Sequence, residues 1–103
     1  MTYGEVFSAL ADPTRRSVFE SLREEPRSVG DLAAGLPVSR PAVSQHLRVL
    51  EQAGLVTAER VGTRRLYSIE RSGLHALRDY LDTFWSDALT AYAARIAERT
   101  STP

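Results

Sequence analysis

The stretch Ser39 to Leu50 reads SRPAVSQHLRVL, and its reading decides the fold. Val43, Leu47 and Leu50 recur at i, i+4 and i+7, which places them on one face of a helix. Ser39 suits the N-cap, where its hydroxyl can accept from a free amide of the first turn, and Pro41 is tolerated within that turn. The opposite face carries Arg40, Pro41, Ser44, Gln45 and Arg48. Arg can bond guanine through two N–H groups, Gln can bond adenine, and Ser can bond bases or phosphates. A helix anchored on one side, with such groups near its start on the other, fits a DNA major groove. The same spacing also describes an ordinary solvated face, so the neighbouring segments have to decide.

Upstream, Val29, Leu32 and Ala33 form the apolar side of a preceding helix, opened by a Ser28/Asp31 capping arrangement. The connection from Gly35 to Ser39 is short, which makes residues 27–53 a helix-turn-helix. Two further helices precede it. Tyr3, Val6, Phe7 and Leu10 mark the first; Asp12 as cap and Pro13 at the first helical position open the second, whose buried stripe is Val18, Phe19 and Leu22.

Downstream, Gly54 is expected to stop the helix in a left-handed conformation. Residues 55–60 and 65–69 are β-rich and bracket a turn at Gly62, so 55–69 reads as a hairpin with an arginine-rich tip. It would set Arg64, with Arg60 or Arg65, against phosphates or the minor groove. The alternative is that a wing arginine pairs with Glu59 or Glu70, more readily for Arg65 than for Arg64, which sits nearer the turn. Residues 72–99 return to helical spacing, with Leu74, Leu77, Leu81, Phe84 and Ala88 on one stripe, widened by Trp85, Leu89, Tyr92 and Ile96; Thr100 to Pro103 reads as a frayed tail. The fold class is mainly α with a small β-hairpin: four helices, two strands and a fifth helix in a single domain over 1–103.

The 103 residues carry 13 basic and 13 acidic side chains, and every basic one is Arg. Zero net charge argues against a uniformly basic nucleic-acid coat, but residues 40–65 hold five arginines against two acids, and local charge sets the field a partner meets. There is no Cys, which excludes disulfides and thiolate metal sites. No signal pattern or membrane-length apolar run is present, so a cytoplasmic location is expected.

ALADPTRRSVFESL (9–22), VSRPAVSQHLRVLEQAGLV (38–56) and RVGTRRLYSI (60–69) together resemble the ArsR/SmtB family of winged helix-turn-helix transcriptional repressors. The resemblance covers roughly residues 5–70. It implies a homodimer on an imperfect palindrome, joined through its first and last helices. Arg40, Pro41, Ser44, Gln45 and Arg48 match the recognition-helix positions, and Arg60, Gly62, Arg64 and Arg65 match the wing. Thr63 departs from the pattern, where a basic residue commonly follows the wing glycine. The expected dimer contacts are Tyr3, Phe7, Leu77, Leu81, Phe84, Trp85, Ala88, Leu89 and Tyr92; so wide a stripe exceeds what a small core needs, which independently asks for a second subunit.

The family's cysteine metal site would fall at Pro26 to Leu32, where there is no thiol. On the last helix His75 and Asp79 share a face, but a closed zinc site needs about four ligands and this helix has no second His. No cofactor is expected. Residues 79–98 resemble the family's non-metal branch, some of whose members resemble autorepressors regulated by a partner protein. A protein effector, or a small molecule lodged among Tyr80, Trp85 and Tyr92, is compatible with that. His46 is assigned a structural hydrogen-bonding role rather than a ligand role. An enzyme is not expected, since Ser44 and His46 point in different directions on their helix. The competing class is a winged-helix interaction module without specific DNA binding, which zero net charge allows.

Overall fold

The computed structural model describes residues 2–101. The chain runs α1 (Tyr3–Ala11), α2 (Pro13–Glu20), α3 (Val29–Gly35), α4 (Arg40–Gln52), β1 (Val56–Val61), β2 (Arg64–Ile69) and α5 (Arg71–Ser101).

Local chemistry sets the helix starts. Asp12 Oδ1 accepts from the Arg15 amide at 2.9 Å, with Pro13 in the first turn of α2. Ser28 and Asp31 form a reciprocal box: the Asp31 amide donates to Ser28 Oγ at 3.1 Å and the Ser28 amide to Asp31 Oδ2 at 3.3 Å. Ser39 Oγ accepts from the Ala42 amide at 3.3 Å to open α4. Each cap satisfies an amide that would otherwise lack a partner and contributes about 1 kcal/mol. A fourth cap, the Thr2/Glu5 box of α1, carries the S/T-x-x-E signature and escaped the sequence reading.

Arginines close two of the helix ends. Arg15 Nε donates to the Ala9 carbonyl at 2.6 Å and Arg16 Nη1 to that of Leu10 at 2.8 Å, where α1 has run out of amides. Arg27 Nε does the same for Ser21, just beyond α2, at 2.9 Å. These three arginines serve the scaffold.

The core gathers one face of every helix in the body. Val6, Val18, Leu22, Leu32, Val43, Leu47, Leu50, Leu55, Val56 and Tyr67 are all buried. The hairpin is antiparallel, with Val56 opposite Ile69 and Val61 opposite Arg64, so its turn is the pair Gly62–Thr63. Gly62 has φ +63°, a left-handed conformation that favours glycine in so tight a turn. Arg64 is therefore the first residue of β2 rather than part of the turn. Leu55 stays out of β1 because its amide bonds back to the Leu50 carbonyl at 2.9 Å. Arg27 and Tyr67 exchange backbone hydrogen bonds of 2.9 and 2.8 Å, tying the approach to α3 onto the wing.

Gly54, with φ +72°, ends α4 in the left-handed conformation. Its carbonyl accepts the Gly73 amide at 2.8 Å, so the first turn of α5 sits directly on the end of α4. A Cβ on Gly73 would fall 2.7 Å from the Ala53 carbonyl oxygen and 2.8 Å from that of Gly54. Leu74 and Leu77 then pack against the core. Beyond them α5 leaves the body; its 31 residues span about 46 Å and give the molecule extents of 73 × 25 × 21 Å. The expected frayed tail does not begin at Thr100, which is helical and donates from Oγ1 to the Ile96 and Ala97 carbonyls, both at 3.1 Å. Residues 102 and 103 of that tail lie outside the described residues. No helix among the described residues is long and apolar enough to cross a membrane.

Candidate nucleic-acid interface

On α4 the two faces separate cleanly. Val43, Leu47 and Leu50 are 0% exposed, whereas Arg40, Pro41, Ser44, Gln45 and Arg48 are all exposed. The side chains of Ser44, Gln45 and Arg48 make no hydrogen bond or ion pair among the described residues, so their donors and acceptors face solvent. Arg40 is turned toward α3. A Cβ on Gly30 would lie 3.3 Å from Arg40 Nη2, so the guanidinium rests over the first turn of α3, and glycine leaves it room.

The wing arginines behave differently from one another. Arg60 is exposed and has no ion-pair partner among the described residues. Arg64 Nη2 lies 2.7 Å from Asp31 Oδ2 and 3.3 Å from Ser28 Oγ. Arg65 lies over the Tyr67 ring, 5.6 Å from its centroid, with an Nη2 3.8 Å from Glu51. The alternative that a wing arginine pairs with Glu59 or Glu70 holds only in part: the pairing occurs, with other acids. Both Arg64 and Arg65 have acidic partners, but these come from α3 and α4. Glu70 is engaged elsewhere, accepting from the Ser72 amide and hydroxyl at 3.2 and 3.0 Å at the start of α5.

Charge at this surface is fixed by those contacts. The Asp31 carboxyl is held below its ordinary range, first by the hydrogen bonds from Ser28 and then by the Arg64 guanidinium, so it is ionised at neutral pH. His46 is half-buried, and its Nδ1 is buried with no hydrogen-bond partner among the described residues. The structural hydrogen bond expected of it is not made among the described residues.

The predicted dimer contacts lie at the other end of the molecule. Leu77 is half-buried against the core, while Tyr3, Phe7, Leu81, Phe84, Ala88, Leu89 and Tyr92 are exposed and Trp85 is 64% exposed. Tyr80, read from sequence as a candidate pocket-lining aromatic with Trp85 and Tyr92, is the hub of a cluster with α1 that the sequence reading did not foresee. Its ring stacks on Tyr3 at 4.4 Å and meets Phe7 edge-on at 5.5 Å, with Phe84 at 6.3 Å, so α1 and α5 share one aromatic cluster. Helical spacing put Tyr80 beside the apolar stripe, but only tertiary packing brings α1 to it. His75 and Asp79 are both exposed, and among the described residues no three His, Cys, Asp or Glu side chains converge in a metal-holding group.

Comparison with known proteins agrees with this geometry. A family profile described as a helix-turn-helix domain matches residues 10–59. The HTH-type transcriptional regulator Rv2034 of Mycobacterium tuberculosis is 57% identical over 90 residues, which is 87% of this chain and 84% of that protein. The HTH-type transcriptional repressor SmtB of the same species is 41% identical over 87 residues, 84% of this chain; the match spans 64% of SmtB, so that repressor has length that this chain does not match. Among solved structures, an ArsR-like transcriptional regulator from Rhodococcus sp. RHA1 superposes with a TM-score of 0.87 at 31% identity, covering 97% of this chain and 94% of that one.

Proposed function

Because this chain belongs to the ArsR/SmtB family of winged helix-turn-helix transcriptional regulators, we propose that it is a repressor that binds a palindromic DNA operator as a homodimer in the cytoplasm. The observation that carries this reading is α4: a fully buried apolar face backed by an exposed face of uncommitted polar groups. Gln45 and Arg48 read base edges, Ser44 and Arg40 contact bases or phosphate, and Pro41 holds the entry of the helix. Arg60, Arg64 and Arg65 on the wing address the backbone beside the groove, with Gly62 forming the turn that presents them.

Two copies joined through α1 and α5 would cover Tyr3, Phe7, Leu77, Leu81, Phe84, Trp85, Ala88, Leu89 and Tyr92. They would set two α4 helices about 34 Å apart, one turn of B-form DNA. An effector, small molecule or protein, would act by changing that separation.

Selection of bound duplexes from a random pool tests the proposal. The expected product is a palindrome, and Gln45→Ala or Arg48→Ala should weaken binding to it by about tenfold or more in anisotropy titrations. Arg60→Ala should lower the slope of log affinity against log salt by about one. Enrichment of no motif would overturn the proposal and leave an interaction module, the reading that zero net charge allows.

A further inference from the structure

Arg64 opens β2 at the tip end of the hairpin, where an arginine has room to swing into solvent. It is held instead by an acid 33 residues away: Nη2 donates to Asp31 Oδ2 at 2.7 Å and to Ser28 Oγ at 3.3 Å. Asp31 is itself fixed, because the same Oδ2 accepts the Ser28 amide and the Asp31 amide bonds Ser28 Oγ. The carboxylate is therefore aimed at the wing by the turn that starts the helix-turn-helix, and it is ionised.

Only one corner of the guanidinium is engaged. Its Nε and Nη1 donors make no hydrogen bond or ion pair among the described residues, and the side chain remains 57% exposed. The pair lies at the first turn of α3, the same turn over which Arg40 from the start of α4 rests, so Asp31 sits where the recognition helix begins. An exposed ion pair adds little to stability, and a lone acid at a DNA-facing surface repels phosphate. Both costs make sense if the carboxylate orients a donor that DNA uses.

We propose that Asp31 is a positioning residue for DNA binding, holding Arg64 so that its unused N–H edge meets a backbone phosphate while the wing keeps a fixed angle to α4. This rests on the DNA-binding reading above and adds to it a role for an acid that carries no DNA contact of its own.

The test compares opposite signs. Asp31→Asn keeps an oxygen that can accept the Ser28 amide but removes the charge. Simple electrostatics expects tighter binding and a steeper salt slope. Positioning expects the reverse: about 3- to 10-fold weaker binding to the duplex selected by the wild-type chain, with a salt slope lowered toward that of Arg64→Ala. In an Arg64→Ala background, Asp31→Asn should cost nothing further, and Asp31→Glu should recover part of the loss. Circular dichroism on each variant checks that the fold is kept. Binding by Asp31→Asn that is unchanged or tighter, or an equal loss with Arg64 already removed, overturns the inference alone. A wild-type chain that enriches no duplex overturns the DNA-binding reading, and this inference with it.

Discussion

Residues 2–77 and residues 78–101 use apolar side chains in opposite ways. In the body, Leu47, Leu50 and Leu55 are 0% exposed, and helix caps satisfy the backbone around them. On the arm, Trp85 and Tyr92 are each 64% exposed, with Leu81, Phe84, Leu89 and Ile96 beside them. The core of the body is packed within one chain, while Tyr3 and Phe7 on α1 stay exposed and join the arm's aromatic cluster at Tyr80. The arm has buried almost nothing, and its stripe is larger than the isolated surface hydrophobics that soluble monomers tolerate. The two regions therefore differ in what covers their apolar side chains: the body covers its own, and the arm leaves its stripe open for the proposed second subunit.

That contrast can be broken or sharpened by substitution. The largest effect should come from Leu47→Ala, which opens a cavity in the body and should cost about 3 kcal/mol in denaturant titrations. A loss below about 1 kcal/mol would mean that the core collapses around the gap and is less tightly built than its burial indicates. Leu89→Asp on the arm should instead leave the fold of the body intact. It should raise the dissociation constant of the proposed homodimer by about 100-fold in sedimentation equilibrium, as expected for a charge buried in an interface core. Loss of body structure in that variant would erase the distinction between the regions.

The junction gives a smaller effect. Gly73→Ala forces a methyl against two carbonyl oxygens of the α4 end, and should cost roughly 1–3 kcal/mol by thermal melting. Acid gives the smallest. Asp12, Asp31 and Glu70 all have folded-state pKa values lowered, chiefly by hydrogen bonds from the Arg15 amide, from Ser28 and from Ser72 respectively. The unfolded chain then binds more protons, so their contribution is complete above the unfolded values of 3.8 and 4.5 and is lost as pH falls below them. Urea midpoints should decline below about pH 4.5, and less so for Asp12→Asn than for the wild type.

What the sequence made legible follows from how far apart the interacting groups lie. Asp12 with Pro13, Ser28 with Asp31, Ser39 with Pro41, and Gly54 as a stop are signals within a few residues, and each element stands where those signals put it. The buried face of α4 was legible for the same reason, because periodicity is local. The partners of Arg64 and Arg65 were not. Sequence proximity pointed to Glu59 and Glu70, while folding delivered Asp31 and Glu51 from other helices. Tyr80 was seen as an aromatic at helical spacing, but its place between Tyr3 and Phe7 depends on how α1 crosses α5. Gly73 carried no signal at all, since its close approach to Ala53 and Gly54 exists only once both helices are in place.

That last contact joins two helices main chain to main chain. Side-chain interfaces can absorb a tilt by changing rotamers; a seam of bare peptide groups has none to change. The start of α5 is thus held to the end of α4 by main chain as well as by the packing of Leu74 and Leu77, so the direction in which α5 leaves the body is set by the geometry of that seam.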